Sequence, residues 1–217
     1  MKAHWSISGW GLLVALVGCG VPLPNAMNGA AVPKPDLSRQ TPLAMQGDHG
    51  PVKVGMSSSE ALAAFQEPQS FFTVSALPPG FDDSFAAKGW DTESGGFGII
   101  THEGKVILAN RQYVGLDDRD FSEIVQKNAP RGIEETFIGG DPVRFWIWDS
   151  PAPPQSPEHR LVISAARMRS GDLNVAVILG VAPIMDALGI SESRLRQDQA
   201  EATRVLLEKS GARSPKE

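Results

Sequence analysis

A chain of 217 residues has room for one ordinary domain once a leader is set aside, and a composition of 41% hydrophobic and 21% charged residues is that of a folding chain. Its formal net charge of -5 comes without any cluster of Lys and Arg, which excludes nucleic acid as an expected partner, because displacing counterions from phosphate takes concentrated basic side chains. The chain has 1 cysteine, so no internal disulfide can form.

The first element is a leader. Lys2 and His4 precede an apolar stretch, 7–17, broken only by Ser8, Gly9 and Gly11, and ending in Leu16-Val17-Gly18-Cys19. That run is about half of the roughly 20 apolar residues a membrane span needs, and it has the proportions of a signal-peptide core. The four closing residues resemble the lipobox of bacterial lipoproteins. The resemblance implies that Leu16 fits the peptidase pocket, that cleavage falls between Gly18 and Cys19, and that the Cys19 thiol carries diacylglycerol. Residues 1–18 are then a lipoprotein signal peptide, and the mature chain is held by its lipid. Acyl chains of the palmitate class bury methylenes worth about 0.8 kcal/mol each, enough together for stable anchoring. Gly20 stands where an Asp would imply retention in the inner membrane, so the sorting rule implies the outer membrane, facing the periplasm.

Residues 19–51 read as the lipidated cysteine and a flexible tether, with prolines at 22, 24, 33, 35, 42 and 51 and no hydrophobic periodicity. The alternative is that part of it, 37–45, packs on the domain as an irregular arm. A globular domain is expected over 52–212, followed by a charged tail at 213–217.

The domain opens with a strand-like turn at 52–55 and a short helix. Ser57 and Glu60 are spaced as a capping box, Leu62 and Phe65 share a face, and Glu67-Pro68 ends the helix. Apolar runs at the spacing of a sheet follow at 71–77, 96–102, 105–113, 136–138, 143–148, 161–168 and 173–181. The sequences His102-Glu103-Gly104-Lys105 and Arg169-Ser170-Gly171-Asp172 read as tight turns, which makes their flanking strands antiparallel. A helix is expected over 118–128, with Asp120 and Glu123 as its capping box and Phe121, Ile124 and Val125 as its buried face. The last helix has Ser191 as cap, Ile190 and Leu195 as a staple, the pairs Arg194 with Asp198 and Arg204 with Glu208, and Gly211 as its stop.

Strands such as Val175-Ala176-Val177-Ile178-Leu179 are apolar on both faces, which requires cover on both sides. The fold class is therefore α+β: a single antiparallel sheet of about six to seven strands flanked by two to three helices. Element order, Pro78-Pro79-Gly80-Phe81 and Gly139-Gly140-Asp141-Pro142 together resemble the PsbP and DcrB group of extracytoplasmic domains, which implies a role in assisting assemblies and carries over no site residue. The run Val54-Gly55-Met56-Ser57 with Glu60, Leu62 and Glu67-Pro68 is similar to the opening helix of BamE-type lipoproteins, without that pattern's second glycine.

Chemistry is sparse in the sequence. His49, His102 and His159 lack metal-ligand spacing, so no metal and no cofactor is expected. Asp117, Asp118, Asp120 and Glu123 lack the glycine and distal Glu of a calcium loop and read as helix capping. There is no Gly-x-Ser-x-Gly elbow, and Ser94-Gly95-Gly96-Phe97-Gly98 has no following Gly-Lys-Ser/Thr. The chain is expected not to be an enzyme. The reading is of a lipid-anchored, non-catalytic interaction or assembly-support module with an envelope protein as partner. The alternatives are a binding protein for a small lipid or envelope glycan, and then a cell-wall hydrolase. The candidate partner surface is Trp146 and Trp148 with Pro151, Pro153 and Pro154. Those tryptophans lie on one face of a strand and are either core or a partly covered contact surface.

Overall fold

A computed structural model describes residues 31–37, 41–65, 72–73, 77, 80–92, 95–150 and 158–210. Among them, ten strands and four helices follow in the order β1 (Met45–Gln46), β2 (Pro51–Val52), α1 (Ser58–Ala63), β3 (Phe72–Thr73), β4 (Phe85–Thr92), β5 (Gly95–His102), β6 (Lys105–Leu116), α2 (Asp118–Asn128), β7 (Glu135–Ile138), β8 (Val143–Asp149), β9 (His159–Arg167), β10 (Leu173–Val181), α3 (Ala182–Ala187) and α4 (Glu192–Ser210). The expected signal peptide, Gly18 and Cys19, the prolines 151, 153 and 154, and the tail at 213–217 lie outside the described residues.

One antiparallel sheet of eight strands, ordered β3-β4-β5-β6-β10-β9-β8-β7, forms the body, and β1 with β2 makes a separate ribbon. The architecture is the expected α+β sheet flanked by helices, with one strand and one helix more than the upper expectation. β10 sits centrally because both of its faces are apolar. Leu173, Val175, Val177 and Leu179 enter one core, and Ala176, Ile178 and Val181 enter the other. β9 repeats the pattern, with Leu161, Ile163 and Ala165 against Val162. In β6 a bulge sets Val106 opposite Thr101 and Leu108 opposite Ile100, so the intervening Ile107 and then Leu108 both enter the second core.

Each core has its own cover. The first is closed by Leu43, Met45 and Val52 of the ribbon region, by Ala61, Ala64 and Phe65 of α1 and its exit, and by Phe121 of α2. The second is closed by Val32, by Ile184, Met185 and Leu188 in and just after α3, by Ile190, and by Leu195 of α4. Arg160, buried on β9, ties this second layer down. Its Nε donates to Asp149 at 2.7 Å, and its Nη1 donates to Asp186 at 2.5 Å and to the Ile190 carbonyl at 2.9 Å.

The capping box of α1 forms as read: the Ser57 amide donates to Glu60 at 2.8 Å, and the Glu60 amide to the Ser57 hydroxyl at 3.2 Å. The tight turn between β5 and β6 places Glu103 at φ 50° and Gly104 at φ 76°, the left-handed pair that a two-residue hairpin needs. Three expectations are corrected. The cap of α2 is Asp117, whose carboxylate accepts from the Asp120 amide at 2.8 Å, so the box drawn from Asp120 and Glu123 starts one turn too late. Strand β4 was not expected, since Ala86, Ala87, Lys88 and Gly89 carry little strand preference. Helix α3 was not expected either; it starts at Ala182-Pro183 with no side-chain cap to announce it.

The largest correction is where the folded part begins. Leu43 and Met45 are fully buried, Met45 pairs with Val52, and the Gln46 amide donates to Asn128 of α2 at 2.8 Å. Val32 is also buried, with its amide bonded to the Gly80 carbonyl at 2.9 Å. The domain boundary at 52 is therefore too late, and a tether running to 51 is replaced by the arm alternative. Prolines in this stretch remove donors without preventing burial of the apolar residues between them. Leu43→Ala should cost about 2–5 kcal/mol of folding stability. Chemical denaturation checks it, and an unchanged midpoint would return residue 43 to a tether.

Candidate interaction surface at the sheet edge

The two tryptophans share a face and differ in depth. β8 alternates, so Phe145 and Ile147 enter the second core while Trp146 and Trp148 turn toward the first. Trp148 is only 2% exposed, flanked by Leu161 on β9 and Glu135 on β7. It is core, and its place in the expected partner surface is corrected. A full indole on a central row of a doubly covered sheet has nowhere to go but inward.

Trp146 is half-buried, under Phe121 of α2 at 5.1 Å between ring centroids and beside Phe137 of β7 at 4.9 Å. Phe137 is 50% exposed, on the outermost strand of the sheet. Its ring lies over the backbone of Gly139, where an added Cβ would fall 1.9 Å from the Phe137 Cζ. The glycine thus lets the ring rest flat on the chain instead of standing free in water. The three aromatics form a tilted series running from beneath α2 out to the sheet edge, in the 4.5–7 Å range where offset rings attract.

Charge around this series is partly spent. The Arg144 guanidinium lies 5.7 Å from the Phe121 ring and 4.0 Å from Asp118. Asp118 accepts from Arg167 at 2.7 Å, and that bond holds its carboxyl below the usual range. Glu134 and Glu135, where the chain enters β7, are exposed and have no ion-pair partner among the described residues.

Among the described residues, no group of three or more His, Cys, Asp or Glu is placed to hold a metal. His49 is exposed on the turn before β2, and His102 is buried with its ring 4.7 Å from that of Phe85. His159 is buried on β9, where burial pushes its pKa down. β5 and β9 are separated by β6 and β10, so these last two histidines sit about 14 Å apart at ordinary strand spacing. No described helix is long and apolar enough to cross a membrane.

Of the residues marked from sequence, then, Trp146 reaches the half-covered rim, Trp148 does not, and the three prolines are outside the described residues. Phe137 was missed. The signal for it was a short strand, Thr136-Phe137-Ile138, ending directly at Gly139-Gly140, a pattern that places an aromatic beside bare backbone. No family model, curated protein or solved structure matches this chain.

The aromatic series separates into two energetic classes. Trp148→Ala should cost about 3–5 kcal/mol of stability through the cavity it leaves, whereas Phe137→Ala, half-exposed already, should cost about 1 kcal/mol or less. Thermal melts of the two variants check this, and equal losses would place Phe137 in the core.

Proposed function

We propose that this chain is a lipid-anchored envelope protein whose domain serves as a non-catalytic interaction module for an assembly in the periplasm. The observation that carries the reading is Phe137: a large apolar ring kept half in water at a sheet edge with no described strand beyond it, braced by Trp146 and Phe121. Aromatic side chains at a partly covered rim are what docking surfaces use, because they bury much area while losing little rotamer entropy. The residues around Phe137 offer apolar contact and, in Glu134 and Glu135, carboxylates with no ion-pair partner among the described residues.

The lipobox gives the module its address. With Cys19 acylated, the chain from Gly20 to the docked Val32 is about 13 residues and reaches at most about 47 Å when extended. The arm therefore shortens the leash. Partners within that distance of the membrane surface are accessible, and the tether imposes a high effective concentration on them. Gly20 favours the outer membrane as the anchoring leaflet.

Two variants of the full chain test the two halves separately. Cys19→Ser should abolish palmitate labelling and leave the precursor uncleaved, since the thiol is the sole acceptor; label retained in that variant would refute the anchoring. Phe137→Asp should leave labelling and membrane attachment intact and lower the melting midpoint by no more than about 5 °C, while removing the envelope proteins that co-purify with the wild type. Unchanged co-purification would move the contact surface elsewhere.

A further inference from the structure

β7 is the outermost strand on its side of the sheet, paired with β8 through Glu135 to Trp148, Thr136 to Ile147, Phe137 to Trp146 and Ile138 to Phe145. No described strand lies along its other side. Proteins ordinarily blunt such an edge with Lys, Pro or a bulge. The four residues of β7 include no Lys and no Pro, and their pairing with β8 runs without a register shift. The opposite edge strand, β3, is two residues long.

We infer that a partner binds here as an added antiparallel strand, and that the segment it contributes has an apolar residue followed two positions later by a Lys or Arg. The inference rests on the proposed role of this edge as the docking surface. Its chemistry comes from the alternation of β7. Glu135 and Phe137 are two apart, so they share a face of the sheet, and a strand laid alongside presents its own side chains to them at the same spacing. The residue opposite Phe137 extends the aromatic series from Trp146, and the one opposite Glu135 meets a carboxylate with no cation of its own among the described residues. Glu134, exposed next to it, adds to the negative end. Nearby, Arg144 is turned to Asp118 and Phe121, and Arg131 stands in the loop four residues before Glu135. Cross-strand pairs of opposite charge and of apolar side chains stabilise such additions, while like charges oppose them. The main-chain hydrogen bonds supply affinity, and these two positions supply selectivity.

A second copy of the chain fits this edge less well. A two-fold that keeps like faces together sets residues of the same parity opposite each other. Centred on Phe137, it pairs the two rings and puts Glu135 against Gly139. Centred on Thr136, it puts Glu135 against Phe137. Neither arrangement gives Glu135 a cation.

The test uses the full-length mature lipoprotein in detergent micelles and two synthetic probes, acetyl-Thr-Thr-Val-Thr-Lys-Thr-amide and the same peptide with Glu in place of Lys. Amide chemical shifts of 135–138 should move and saturate with the lysine peptide, and the glutamate peptide should bind at least tenfold more weakly. Glu135→Lys, an exposed change that leaves the fold alone, should reverse that order. Shifts that ignore peptide charge, or no shifts at 135–138 at all, overturn the inference. So does a dimer in sedimentation that Phe137→Asp dissolves, since a second copy would then hold the edge. If the peptides fail while Phe137→Asp still strips the co-purifying proteins, the docking surface stands and strand addition falls.

Discussion

The central strands of this sheet bury both of their faces, and nearly everything else in the fold answers to that requirement. β9 and β10 send alternate side chains into two separate cores, and each apolar face left in water would forfeit about 25 cal/mol for every Å² exposed. Two lids are therefore needed. One is assembled from α1, α2 and the ribbon that carries Leu43 and Met45. The other comes from α3, α4 and the stretch around Val32. The N-terminal segment serves both lids, with Val32 on one face and Leu43 on the other, so a stretch with the composition of a linker becomes structural cover. Arg160 holds the second lid through two carboxylates and a carbonyl, which satisfies a guanidinium that burial alone would penalise.

Cover thins out toward β7. α4 crosses β8 and β7 on the second face, and Ile138 there is buried. On the first face α2 reaches Trp146 through Phe121, and Phe137 is left at the rim. The candidate surface is thus a by-product of how far each lid extends. This gives it a rigid backing, because the rings that support Phe137 are themselves held by a helix and a paired strand. Rigid backing matters for docking, since little ordering entropy is left to lose on association.

Local sequence carried the parts that depend on local rules. The capping box at Ser57 and Glu60, the hairpin at Glu103-Gly104 and the double-sided strand at β10 were all legible from spacing and residue type. The face shared by Trp146 and Trp148 was legible too. Its depth was not, because alternation tells which way a side chain points and says nothing of which neighbours arrive from distant sequence. Trp148 is buried by Leu161 and its layer, Trp146 is half-buried by Phe121, and neither contact has a local signature. The same limit hid the arm. Prolines near Leu43 mark irregular backbone, and irregular backbone suggests exposure although it does not require it: Leu43 and Met45 only need a distant groove to fill. Gly139-Gly140 marks the bare backbone beside Phe137, but the ring's half-exposure has no local signature, because alternation alone is the same for a rim aromatic and a buried one.

In the proposed function an address and a geometry act together: a leash from an acylated Cys19, and a braced aromatic edge beside carboxylates that have no ion-pair partner among the described residues. Site-specific photocrosslinking in living cells tests their combination most directly, with a photoreactive amino acid placed at position 137 and, as a control, at position 114, another exposed apolar site on β6 four places away in the strand order. An interaction module that docks through the β7 edge yields a discrete adduct at 137 that is absent at 114. Adducts of equal intensity at both positions, or at 114 alone, would contradict it.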